Sequence, residues 1–186
     1  IKNFEWEFNL VQDKSANAFC MPGGKIVVYT GILPITQSET GLAVVMGHEV
    51  AHALADHGAQ RMSASTLQQI GAYAGAIALQ SSDYAKYTEQ FMLAYGLGSN
   101  LGVMLPFSRS NETEADAIGI QIMAIAGYDP SEAPELWKRM AALKGGKSTS
   151  SLLSTHPSDD SRIKNLTALV PKARAEAAKF GVTNFQ

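Results

Sequence analysis

The stretch VVMGHEVAHAL, residues 44–54, sets two histidines and a glutamate inside an apolar run. Leu42, Val45, Met46, Val50 and Ala53 recur at helical spacing, so a helix is expected over 36–58, ending near Gly58. Ionisable side chains left without partners in such a helix would be costly. At ~100° per residue, His48 and His52 stand about 40° apart, one turn from each other on one face. Two imidazoles so placed can grip one metal ion from the same side, with Glu49 beside it as a general base.

A catalytic zinc needs a third protein ligand. His57 lies nine residues beyond His48, so on a continuing helix it is turned ~180° away and sits about 13.5 Å further along. Patterns that draw a third histidine from the same segment use a glycine to break the helix first. Ala55 occupies that glycine position here, and Gly58 stands where the histidine would be. Asp56 reads as a surface carboxylate, and His57 as a residue that packs or hydrogen-bonds behind the helix.

The third ligand is therefore sought in SRSNETEADAIG, residues 108–119. Glu112 and Asp116 share one helical face, while Glu114 points ~160–200° away from each. Glu112 can bind an ion, and Asp116 can accept the spare N–H of a ligand histidine and so orient it. By pattern alone, a solvated acidic helix start fits these residues equally well.

The rest of the chain supplies a frame. Its 186 residues are 46% apolar and 17% charged, which suits a globular domain. A net charge of −2 with no long basic run argues against nucleic acid as a partner. Cys20 is alone, so neither an internal disulfide nor a cysteine zinc site can form, and histidine and carboxylate are left as ligands. Phe4, Trp6, Phe8 and Leu10 alternate with polar residues as a strand. Ala16–Met21 and Lys25–Thr30 flank Pro22-Gly23-Gly24 as a hairpin. Residues 62–82 and 90–108 carry no charge, yet are too polar to span a membrane. They read as buried or groove-covering helices, with 62–108 a candidate lid. Further helices are expected from Pro106–Asn111 to Gly127, from Pro130 to Gly145, and after His156-Pro157. KSTSSLLST, 147–155, reads as a loop. The expected class is α+β: one mostly helical domain over 1–186 with a small N-terminal sheet. The chain opens at Ile1, so a preceding signal, lipid-attachment cysteine or anchor stays open.

HEVAH followed by ETEAD resembles the gluzincin zinc peptidases of the HtpX and CaaX-prenyl-protease type, in their small soluble bacterial branch (BepA-like and LoiP-like). NAFCMPGGKIVVYTGIL is similar to that family's strand pair, and THPSDDSRI to its late His-Pro…Arg segment. The resemblance implies a zincin-like fold and a zinc endopeptidase with one Zn²⁺ per chain. It makes His48, His52 and Glu112 the metal ligands, Glu49 the catalytic base and Asp116 a partner behind a ligand. His156 and Arg162 would reach the site, stabilising an oxyanion or touching the vacant metal position. His156 would then fill that position when substrate is absent. No cofactor besides the metal is implied. The partners would be protein or peptide substrates, unfolded or misassembled. Peripheral membrane contact and outer-membrane assembly association stay open, as does lipid anchoring; the expected location is the bacterial periplasm. Two alternatives stand beside this: a zinc-bearing chaperone-like module that does not cut, and a membrane-associated processing protease.

Overall fold

The computed structural model describes residues 4–21, 23–93, 108–143, 151–156 and 160–186. Its sheet has three strands in the order β1-β3-β2. β2 (Ala18–Met21) and β3 (Lys25–Tyr29) form the antiparallel hairpin, with Cys20 opposite Ile26. The reversal runs through Gly23 and Gly24, both at φ near +90°, where a side chain would be strained. β1 (Glu7–Val11) pairs with β3 in parallel, Phe8 opposite Ile26. β3 is thus the central strand, and its edge is closed by β1. Among the described strands, an extended peptide could therefore add only along β1 or β2. The alternation in β1 does not bury its apolar residues either: Phe8 and Leu10 are exposed. Period-two alternation reveals faces, but not which face is covered.

Ile1–His57 and Pro106–Gln186 form one compact unit, and Gly58–Leu105 a second. The first unit contains the sheet, α1 (Leu33–Thr36), α2 (Glu39–Leu54), α5 (Arg109–Ile125), α6 (Glu132–Ala142), α7 (Ser151–Thr155) and α8 (Asp160–Ala178). With the three-stranded sheet, these make a mostly helical α+β protein, as expected. Ile26 and Val28 of the sheet join one core with Val44 and Val45 of α2, Met123 of α5, Trp137 of α6 and Leu166 of α8. α6 enters the core through a stripe at helical spacing, Ala133, Leu136, Trp137 and Met140. Part of the stretch read as a loop is helical: Ser151–Thr155 forms α7, while 147–150 lie outside the described residues. So do 157–159, where the His-Pro helix start was placed.

The second unit holds α3 (His57–Gln80) beyond its first residue, and α4 (residues 88–93). Within this unit α3 does not bury its apolar side chains: Leu67, Ile70, Tyr73 and Ile77 are all exposed. Freedom from charge permits burial but does not bring it about. Residues 94–107, most of the second uncharged stretch, lie outside the described residues. Among the described residues no helix is long and apolar enough to cross a membrane.

Candidate metal centre

α2 begins at Ser38, whose hydroxyl accepts from the Gly41 N–H at 3.0 Å, with Glu39 in the first turn. α5 begins likewise at Ser108, which accepts from the Asn111 N–H. The buried face of α5 reads Glu112, Ala115, Asp116, Gly119, Ile120, Met123, Ala124, so both carboxylates lie on the side that enters the protein. Two glycines set how close the helices come. A Cβ on Gly47 would lie 2.8 Å from the Gly119 carbonyl oxygen. With no side chain at either position the backbones touch there, and Glu112 and Asp116 are carried up to the histidines of α2.

His48, His52, Glu112 and His156 bring one donor atom each within 4.8 Å of one another, and all four residues are buried. His48 Nε2 stands 3.1 Å from His52 Nε2 and 3.2 Å from His156 Nδ1. The Glu112 oxygens lie 3.4 Å from His48 Nε2, 3.3 Å from His52 Nε2 and 2.9 Å from His156 Nδ1. Ligands at ~2.0–2.1 Å around a tetrahedral zinc are separated by about 3.3 Å. The donor set and its spacing therefore fit a small divalent metal.

The groups behind the donors fit as well. His48 Nδ1 is 3.0 Å from Asp116 Oδ1, so its N–H donates outward and Nε2 faces the centre. Burial works against charge on His48, but the Asp116 and Glu112 carboxylates outweigh it and raise its pKa to about 9. A proton on His48 thus stands in for the metal in the metal-free chain. Burial, helped by the other two imidazoles, lowers His52 to about 3 despite the Glu112 carboxylate beside it. Burial also opposes the charge of Glu112, yet the His156, His48 and His52 imidazoles facing it hold it far below the usual carboxylate range.

Glu49 lies beside the cluster on the same helix, 2% exposed. Its Oε1 has no hydrogen bond among the described residues, with His156 Nε2 3.4 Å away. β2 borders the site, and the Cys20 backbone N–H favours the charged form of the Glu49 carboxylate. Burial raises the Glu49 pKa, the direction a general base near neutrality needs.

His156 follows α7, its N–H donating to the Leu152 carbonyl. Arg162, on α8, lies behind the donors. Its Nε and one terminal nitrogen each bond Asp116 at 2.7 Å, the other terminal nitrogen is 2.8 Å from Glu112 Oε2, and its plane stacks 3.4 Å from the Trp137 ring centre. The sequence placed Arg162 as a possible oxyanion contact; its position is that of a clamp on two carboxylates.

Reading the sequence did not single out Trp137, which supports both Arg162 and His48. Its signal was one aromatic in the buried stripe of α6. His57 stays outside the donor group and hydrogen-bonds behind a ligand, but it is not turned away from His52. α2 stops at Leu54, and Asp56 adopts φ 57°, so the chain turns and returns His57 to His52, ring centres 4.9 Å apart. Aspartate is among the few residues that enter the left-handed region readily, and that was the available sign.

The model of the family described as Peptidase family M48 matches residues 1–170. The chain belongs to peptidase family M48. Among its M48-related matches, the mitochondrial metalloendopeptidase OMA1 of Schizosaccharomyces pombe is 38% identical over 178 residues, 95% of this chain and 50% of that protein. A protein of the same name from Arabidopsis thaliana is 38% identical over 194 residues, all of this chain and 37% of its own length. The β-barrel assembly-enhancing protease of Escherichia coli is 30% identical over 163 residues, 85% of this chain and 33% of that protein. The chain thus spans half or less of each of these relatives. Mitochondrial and bacterial proteins both match, so the family is shown but not the bacterial branch within it. An M48 metallopeptidase requires a divalent metal, and the His48, His52 and Glu112 cluster is compatible with holding it.

Proposed function

We propose that this chain is a zinc endopeptidase that cuts extended segments of unfolded or misassembled proteins. The observation that carries the reading is the convergence of His48, His52 and Glu112 on one point beside the buried, hydrogen-bond-poor Glu49. These three residues hold one zinc ion, with Asp116 orienting His48. When bound, the metal supplies Lewis-acid polarisation of the peptide carbonyl and a more acidic water. Glu49 would take a proton from the attacking water as the water oxygen adds to the carbonyl carbon, and return it to the amine nitrogen when the C–N bond breaks. His156, opposite Glu49, stabilises charge developing on the carbonyl oxygen. Arg162 holds Glu112 and Asp116 in place rather than meeting the substrate.

β2 is the edge strand that borders the site, and it is where an extended substrate would add through its backbone. Recognition of that kind tolerates many sequences and suits unfolded chains. Two bacterial relatives are named for enhancing β-barrel assembly, which supports misassembled proteins as the substrate class; the location proposed with it is the bacterial periplasm, with any membrane association peripheral. Degradation of casein that stops on chelation and returns with zinc tests the reading. Zinc binding without any cleavage would leave a chaperone-like module instead.

One observation favours a second state. His156 Nδ1 is one of the four converging donors, so His156 can fill the position a substrate needs and hold the enzyme at rest.

A further inference from the structure

Each histidine of the HEVAH pair has its Nδ1 side occupied, but by different means. His48 meets Asp116 directly. His52 Nδ1 lies 2.9 Å from His57 Nδ1, and His57 Nε2 lies 3.2 Å from Glu114 Oε2. His57 is 1% exposed, although it begins a new helix. An imidazole buried there must have both nitrogens satisfied, or the site would bear the cost of desolvating them.

The proton positions follow from chemistry. Nε2 of His52 faces His48 and Glu112, so it must present a lone pair if it is to bind metal. In a neutral imidazole the proton then sits on Nδ1, which makes His52 the donor and His57 Nδ1 the acceptor. His57 carries its own proton on Nε2 and donates it to the Glu114 carboxylate. The opposite assignment would put a proton on His52 Nε2, pointing at the other ligands. We infer that His57 and Glu114 are positioning residues for the metal: a His52→His57→Glu114 chain of donated hydrogen bonds that fixes the tautomer and ring orientation of His52. This rests on the reading of His52 as a ligand.

α5 then serves the centre three times, through Glu112 as a donor, Asp116 behind His48 and Glu114 behind His57. Glu114 points away from the other two along its own helix, and the turn at Asp56 brings His57 round to meet it. Partners of this kind behind a ligand are worth about 10–100-fold in metal affinity.

The test is Zn²⁺ affinity, measured by competition with a chromogenic chelator, for wild type, His57→Phe, His57→Asn, Glu114→Gln and His52→Ala. It is paired with ring ¹⁵N NMR of the metal-free wild type. Phe keeps a ring but cannot accept, so His57→Phe should bind zinc about 10–100-fold more weakly. Asn places an oxygen near Nδ1, so His57→Asn should recover most of that loss. Glu114→Gln, at a largely exposed side chain, should fold normally and lose less than His57→Phe. The NMR spectrum should show His52 protonated at Nδ1. A His57→Phe protein with wild-type affinity, an Asn variant no better than Phe, or a His52 proton on Nε2 each overturns the inference. Should His57→Phe fail to fold, the Asn and Gln variants and the NMR spectrum still decide. His52→Ala separates the two levels: wild-type zinc affinity there overturns the metal reading itself, whereas its loss beside an unaffected His57→Phe overturns only the positioning role.

Discussion

Gly47 and Gly119 meet backbone to backbone where α2 crosses α5, and a Cβ on Gly119 would come within 2.9 Å of both the Gly47 carbonyl carbon and the His48 nitrogen. The metal ligands come from these two helices, so the contact sets the distance between them. Gly119→Ala should destabilise the protein by about 1–3 kcal/mol through overpacking. It should also weaken zinc binding, since Glu112 would be carried away from His48 and His52. Thermal unfolding of the metal-free protein and a zinc titration, run together, check both effects.

Arg162 is the cation for two buried carboxylates. Arg162→Met would leave Asp116 and Glu112 facing each other without it, and breaking a buried pair in this way costs about 3–5 kcal/mol. Arg162→Lys should recover only part, because an ammonium cannot make the paired contacts to Asp116 or stack on Trp137 in the same way. Urea unfolding of both variants measures the difference.

Metal binding should release a proton. Against the effect of burial, the Asp116 and Glu112 carboxylates hold the His48 pKa at about 9, while burial keeps His52 near 3. At neutral pH, zinc therefore displaces one proton, from His48, and none from His52. Affinity should rise with pH, about tenfold per unit, and level off near pH 9. Isotherms in metal-buffered solution between pH 6 and 10 show this; a flat response between 6 and 8 would contradict the protonation scheme.

His156 has a place both in the donor group and opposite Glu49. His156→Ala should bind zinc more weakly and, through the lost oxyanion contact, lower kcat by about 10²-fold with little change in KM. Steady-state cleavage of a quenched peptide measures this. A rise in kcat would assign His156 to the resting state alone.

What could be read from the sequence was what helix geometry determines. Four-residue spacing puts His48 with His52, and Glu112 with Asp116, on common faces whatever surrounds them. The chain's return at Asp56 could not be extrapolated, because one left-handed residue cancels the 100° rotation on which the placement of His57 depended. The partner of β1 was hidden for a related reason, since alternation shows which residues share a face and not which strand lies alongside. Absence of charge along 62–82 is compatible with either a buried or a groove-covering helix and does not choose between them. Trp137 and the glycine contact matter through helix crossings, and local sequence carries no sign of where a helix will cross another.

The most direct measurement is made on Glu49→Gln, with zinc content and casein hydrolysis determined on the same preparation. The ligands are untouched, so zinc should remain at one per chain while hydrolysis is lost. Hydrolysis at the wild-type rate by a zinc-loaded Glu49→Gln protein would contradict the role of Glu49 as the base.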